Sequence, residues 1–555
     1  MKSHRTLAAI GFLISCLPGP LAASCTSGVV KVTSTADSGA GSLRAAIEQL
    51  NACSGTQAHE IHFEIPGDGD HVITVSSPLP AIQHKTFLDG SKMPQYVHEH
   101  GTLKAPKVYL QASATVIGSG LVLNAAGCHV KALGIAKFPD AGILIRRGDA
   151  IVEGCYIGTS PSGDAANGNG YGIQIENAGH CRIGGTTGHE ANVLSGNFVG
   201  ILITGSSSTF NVVEGNFIGT NPLGSIAVGN RQGGIQIHDG ASDNRIGGHD
   251  PGARNLISGN SNNTQVVGVR IGDPNAVTAP PPVRNVIQGN RIGTDVDGED
   301  RLQNDIGVMF FAAGANTLGG TTQAEGNLIA GNRGEQVHIC ASTDVAVLSN
   351  TIGIGIPKAK DQHNVDVPNP LGSLVSYGVF IGCGGTSRIV VGAPGSGNKI
   401  AYSFLDGVIV NNVKATTVRG NSIYSNTKLG IAQADQLAIA PALTGIGTHS
   451  HGDGGATVSG TLNTFGTAKN ATFHLDFFSS SGPCDTLNNR PEGEHYVGTM
   501  DVTTDGSGNA SFTYQHHEHI PKGRYVTATA SRVGVDALGV GYSTSAFSTG
   551  CLAVP

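Results

Sequence analysis

From Gly172 to Ile409 the chain repeats one short pattern, a glycine followed by an apolar, a variable and an apolar residue. The copies are Gly172-Ile-Gln-Ile, Gly200-Ile-Leu-Ile, Gly234-Ile-Gln-Ile, Gly268-Val-Arg-Ile, Gly307-Val-Met-Phe, Gln336-Val-His-Ile, Gly378-Val-Phe-Ile and Gly407-Val-Ile-Val. Apolar residues two apart point to one face of a strand and the residues between them to the other. The copies recur at intervals of roughly 28 to 42 residues, too close for separate domains, and no helical periodicity lies between them. These intervals predict a solenoid of stacked short strands. Leucine-rich and ankyrin arrays are excluded because each of their units needs a helix.

Two further phrases interleave with the first. One is Asn192-Val-Leu-Ser-Gly-Asn, returning at Asn255, Asn285 and Asn327; the other is Gly215-Asn-Phe-Ile-Gly-Thr, returning at Gly289. Glycine and asparagine both tolerate the left-handed backbone, which suits corners, and a stacked Asn can hydrogen-bond its counterpart one coil away. On these phrases the chain resembles secreted bacterial right-handed parallel β-helix proteins of pectin-lyase-like fold, over roughly residues 30–424. The resemblance implies fold. Because that fold hosts lyases, inverting hydrolases, transferases, phage depolymerases and non-catalytic surface proteins, activity must be argued from the site.

The flanks change character. Lys2 and Arg5, the apolar run Leu7 to Leu17, a Pro-Gly-Pro break and Leu21-Ala-Ala-Ser read as a secretory signal over residues 1–24, too short to span a membrane. Leu13-Ile-Ser-Cys16 is the competing lipobox, which would anchor the protein through Cys16. Residues 25–60 are expected to form an N-terminal cap, with a strand at Val29 to Thr33. In its helix from Gly41 to Asn51, Ser42 is the N-cap and Leu43, Ala46, Ile47 and Leu50 share a face. Residues 61–440 are assigned to the β-helix and 441–455 to a Gly/His/Asp-rich linker. Residues 456–555 carry six alternating segments expected to form a β-sandwich, which resembles the immunoglobulin-like modules that follow such solenoids.

Composition supports an exported all-β chain. Of 555 residues 82 are Gly, none is Trp and only 13% are charged, which suits thin strands more than helical layers. The net charge is -7, or -9 without Lys2 and Arg5, which argues against a nucleic-acid partner. Outside Cys16 there are nine cysteines. Cys25 with Cys53, Cys484 with Cys551 and Cys340 with Cys383 are the expected disulfides, and at least one of Cys128, Cys155 and Cys181 is left over. No Cys-x-x-Cys spacing points to a metal cluster, and phosphate-binding, dinucleotide, nucleophile-elbow and zinc-protease motifs are absent.

The chemistry is expected on the outward face of the repeated strand. One outward column reads Gln174, Leu202, Gln236, Arg270, Met309, His338, Phe380 and Ile409; its neighbour reads Glu176, Thr204, His238, Gly272, Phe311, Cys340, Gly382 and Asn411. Arg270, His238, Glu176 and Asp239 are the catalytic candidates. Gln174, Gln236, Asp273, His338, Phe311 and Phe380 are the candidates for binding substrate. Two reactions fit an extracellular polysaccharide in such a groove. A lyase needs a base, Arg270 or His238, and a cation to neutralise a uronate carboxylate, either a second basic group or Ca²⁺ on Asp239, Asp273 and Glu176. An inverting hydrolase needs two spaced carboxyl groups, here Glu176 and Asp239. Asp295-Val-Asp-Gly-Glu-Asp300 lacks the full spacing of a calcium loop and is read as a turn. A non-catalytic surface or adhesion protein would use the same face without converging ionisable groups.

Overall fold

Each copy of the repeated strand pairs in parallel with the next. Tyr171–Glu176 pairs with Val199–Thr204, which pairs with Gly233–His238, and the series runs on through Val267–Ile271, Ile306–Phe311, Val337–Cys340, Val379–Gly382 and Val408–Val410. The computed structural model describes residues 28–53, 57–93, 96, 103–262, 264–274, 279–360, 364–433, 440–448, 455–482, 491–534, 544–548 and 550–555. Three long parallel sheets organise it. The first has 13 strands from Val29–Val32 to Lys414–Val418, the second 12 from His71–Val75 to Ser422–Tyr424, and the third 11 from Leu121–Leu123 to Ile431–Gln433. The chain visits them in rotation, so the fold is a parallel β-helix.

The inward residues of the phrase make its core. Ile173, Ile175, Ile201, Ile203, Ile235, Ile237, Val269 and Ile271 are fully buried in one apolar column that extends from Val32 to Ile431. The glycine opening each phrase is needed for close approach: a Cβ on Gly172 would sit 2.4 Å from the Gly200 carbonyl oxygen and 3.0 Å from the Asn197 amide.

All three corners carry asparagine ladders. Between the first and second sheets the ladder runs through Asn192, Asn216, Asn255, Asn290, Asn327, Asn350, Asn398 and Asn421; a second links Asn169 to Asn332 and a third Asn211 to Asn316. Each carboxamide is satisfied on both sides. Asn255, for example, donates from Nδ2 to Asn290 Oδ1 at 2.9 Å and to the Val213 carbonyl at 2.8 Å, while its Oδ1 accepts from Asn216 Nδ2 and N, each at 3.0 Å. Buried amides paid in this way stabilise a corner instead of weakening it. The left-handed conformation expected of these asparagines is absent from them. In many coils it falls instead on the residue before, a glycine at Gly215, Gly259 and Gly289 but Phe210, Asp243, Arg284 and Ala315 at the third corner.

Successive coils are not equivalent. The connection from first to second sheet is short at 154–155, 215–216, 289–290 and 349–350, but long at 185–192, 248–255, 320–327 and 392–398. The connection from second to third sheet is longest in the coils where the other is short, at 158–170, 219–232, 293–305 and 353–378. Long connections therefore stack on one another every second coil. Val296 N donates to the Gly224 carbonyl at 3.0 Å and Ile356 N to Gly298 at 2.8 Å.

Both ends are closed. Helix Leu43–Asn51 buries Leu43, Ala46, Ile47 and Leu50, and Ser42 Oγ accepts from Ala45 N at 3.2 Å, as the pattern indicates. Val29–Val32, expected within the cap, is already the first strand of the first sheet, because it pairs with His59–Phe63. At the other end, residues expected as linker include a strand, Ala442–Thr448, whose alternation lets it pair with Ala456–Asn463. Two antiparallel sheets of three and four strands follow and share one apolar cluster. They dock on the last coil. Ile423 and Gly493 exchange backbone hydrogen bonds at 2.7 and 2.8 Å, Arg419 holds Asp476 with two bonds at 2.9 and 2.7 Å, and Phe478 and Phe547 join the solenoid core.

Cys340 and Cys383 form a disulfide. Cys53 and Cys551 are also disulfide-bonded, and the expected partners Cys25 and Cys484 lie outside the described residues, as do the signal segment and Cys16. Cys128, Cys155 and Cys181 are all free and buried, where one leftover was the minimum expected. Register explains why. Cys128 and Cys181 share a column but flank Ala150, which puts them two coils or about 9.6 Å apart, and Cys155 sits at a different corner.

Candidate functional site

The register places the two outward columns of the third sheet as the alternation indicates. Gln174, Leu202, Gln236, Arg270, Met309, His338, Phe380 and Ile409 are consecutive partners, and Glu176, Thr204 and His238 lie beside them. The column is not evenly solvated. Leu202 and Gln236 are buried, and Arg270, His338 and Phe380 are half-buried.

Its centre is a histidine–carboxylate pair. His238 Nδ1 lies 2.7 Å from Asp239 Oδ2, and the same oxygen accepts from Thr204 Oγ1 at 2.8 Å across the strand boundary. Burial acts to raise the Asp239 carboxyl, but the hydrogen bonds from Thr204 and His238 prevail and hold it below the usual carboxylate range. An ionised Asp239 assigns the Nδ1 proton to His238, so that in the neutral ring Nε2 is the nitrogen carrying the lone pair. Arg270 follows one coil on, diagonal to His238, a relation that sets Cβ atoms about 7–8 Å apart. Its Nε is buried without a hydrogen-bond partner among the described residues, and burial pushes the guanidinium pKa down against the charge of Asp273. Asp239 and Asp273 both line a cleft of about 500 Å³ walled by Pro280, Pro281 and Pro282.

The other candidates separate from this centre. Glu176 is bound to Arg146 at 3.0 Å and does not line the cleft, so the pairing of Glu176 with Asp239, two coils apart, finds one carboxylate already neutralised. For the same reason Glu176, Asp239 and Asp273 do not gather their oxygens as a calcium site; among the described residues the three-ligand group is His338, Cys340 and Cys383, with donor atoms within 4.8 Å and both sulfurs joined in the disulfide. His338 stacks on Phe380 with centroids 4.7 Å apart, and burial lowers its pKa. Gln236 donates to the Gln232 carbonyl at 3.1 Å, and Gln174 and Phe311 stand half-buried on the same face. Asp295 spends its carboxylate on the backbone N–H groups of Glu299 and Asp300, which makes residues 295–300 a turn.

A second polar cluster, on the first sheet, was not anticipated. Glu153 is nearly inaccessible and accepts from Lys131 and Arg182, each at 2.9 Å, with His129 at 3.3 Å; Arg182 also reaches Glu190. Its residues come from three coils, so only the register brings them together. Lys131 and Arg182 are already matched to carboxylates, which marks the cluster as an internal ion network.

No family model matches the sequence and no curated protein matches it. Among solved structures, the chain is similar to the A-module of the mannuronan C-5 epimerase AlgE6 of Azotobacter vinelandii, with 14% identity over 73% of this chain and 99% of that one and a TM-score of 0.42. It is also similar to the enzymatically active domain of tailspike protein 2 of bacteriophage CBA120, with 10% identity over 88% and 71% of the two chains and a TM-score of 0.31. The pectate lyase Pel9A gives 12% identity over 59% and 78% and a TM-score of 0.25.

Proposed function

We propose that the protein acts on an extracellular, uronate-containing polysaccharide laid across the third sheet, and that it breaks the chain by β-elimination. The observation that carries this reading is the His238–Asp239 pair opening onto the same face as an Arg270 whose Nε has no hydrogen-bond partner among the described residues. A half-buried guanidinium without a hydrogen-bonded carboxylate is a strong receptor for one from outside. Bound there, the sugar carboxylate is neutralised and the adjacent C–H becomes more acidic. His238 Nε2 takes that proton, the C–H electrons form the new C=C bond, the glycosidic oxygen leaves with its bonding electrons and is protonated by the imidazolium or water, and an unsaturated sugar end remains. Asp239 stabilises the imidazolium. The cleft beside Asp273 and the half-buried Phe311 and Phe380 provide the polar and apolar surface for neighbouring sugars.

A panel of uronate-containing and neutral polysaccharides, followed by ultraviolet absorbance of unsaturated ends together with reducing ends, tests this. Elimination raises both signals. His238→Gln is expected to lower turnover on the order of 10²–10⁴-fold, and Arg270→Gln to raise KM for uronate chains. Reducing ends without absorbance would replace elimination by hydrolysis. Silence on every acidic polymer would sink the enzyme reading and leave a binding surface.

A further inference from the structure

The elimination reading leaves unused a cleft of about 400 Å³ at the corner between the second and third sheets, lined in part by Lys137, Pro139, Tyr171, Phe198 and Arg231. Its backbone walls are spoken for. Lys137 N donates to Asn167, Phe198 N to Asn169, Arg231 N to Asn197 and Gln232 N to Phe198, at 3.0, 2.9, 2.9 and 2.7 Å. Phe198 and Arg231 directly follow the ladder residues Asn197 and Asn230, so the ladder fixes them as stacked neighbours one coil apart.

The side chains, by contrast, point to a ligand. Neither Lys137 nor Arg231 makes a side-chain hydrogen bond or ion pair with a described residue, whereas many of the described arginines on the first sheet and at the corners do, including Arg182, Arg245, Arg284, Arg388 and Arg419. The nearest acid in sequence, Asp140, accepts instead from Ser119 Oγ at 2.6 Å. Phe198 is 47% exposed, a large apolar ring held out on a rigid corner. Two uncompensated cations around an exposed aromatic face match one kind of ligand, a sugar ring that carries an anionic group. A neutral glycan would leave both cations unused.

We infer that this cleft is a binding subsite for an acidic polysaccharide, with the apolar face of a sugar on Phe198 and its carboxylate or sulfate held by Lys137 and Arg231. The inference rests on the elimination reading to the extent that one polymer is taken to cross both places. Arg231 lies two residues before the strand Gly233–His238 and His238 ends it, which sets the two places roughly 20 Å apart at about 3.3 Å per residue.

Calorimetric titration of the full chain tests it, with an oligouronate, a sulfated oligosaccharide and a neutral oligosaccharide of similar length as probes, in the His238→Gln background so that no probe is consumed. K137M/R231Q is expected to weaken the acidic probe roughly ten- to hundredfold and to flatten its salt dependence, while the neutral probe is unaffected. Phe198→Ala is expected to weaken the same probe but to keep the salt dependence. Whichever acidic probe binds identifies carboxylate or sulfate as the anion. Unchanged affinity in K137M/R231Q at unchanged melting temperature overturns the subsite, as does failure of both acidic probes to bind. Loss of affinity in a protein whose parent forms no unsaturated product keeps the subsite and removes elimination; product with affinity unchanged by the double variant does the reverse.

Discussion

At the scale of single residues, the exposed face of a solenoid is less exposed than its alternation suggests. Outward position was legible for Arg270, His238 and His338, because a period of two assigns faces. Their surroundings were not, since burial there depends on partners one coil away that no local pattern reveals. Glu153 shows the same limit. Burial acts to push its carboxyl up, but hydrogen bonds from His129 and Lys131, with their charges, pull it down to about 2 from 4.5. A carboxyl whose pKa is depressed in the folded state adds stability above the unfolded value and loses it as pH falls through the folded one. Glu153→Gln is therefore expected to cost about 3 kcal/mol at neutral pH. In thermal melts the gap between variant and parent should close between about pH 4.5 and pH 2. A gap that persists at the acid end would show that packing, not charge, is at work there.

At the scale of elements, most strands of the repeat and the capping helix follow from pattern alone. The helix was readable because Ser42 and four apolar residues suffice to specify one face. The docking of the C-terminal sheets was not readable, since it depends on Arg419 meeting Asp476 across 57 residues. Asp476 is fully buried, and removing its partner leaves an uncompensated charge. Arg419→Ala is expected to destabilise the protein by about 3–5 kcal/mol, and Arg419→Ala/Asp476→Leu to recover much of it. Denaturant titration of the two variants checks this. Equal losses would show that the pair contributes little to docking.

At the scale of the whole molecule, the three sheets share one core while the proposed chemistry is confined to one of them. The third sheet carries the His238–Asp239 pair and Arg270 on its outward face, and its leading corner carries Lys137, Phe198 and Arg231. The first sheet spends its charges internally, as Arg182 on Glu153 and Arg245 on Glu214 illustrate. The long intervals between copies of the phrase were visible in the sequence; the reason they vary was not, because it lies in which corner each coil enlarges.

That alternation gives the fold a two-beat metre. A solenoid built from one kind of coil could grow or shrink by single turns, but here a lone excision leaves two enlarged corners of the same kind one coil apart where they are built to meet across two. Removing residues 212–285 deletes one coil of each kind and keeps the beat, whereas removing 212–244 joins the long corner at 185–192 directly to the one at 248–255. The first deletion is expected to yield a shorter protein that still melts cooperatively, and the second to aggregate, with circular dichroism and gel filtration as the readout. Lineages of such a chain would then change length by couplets.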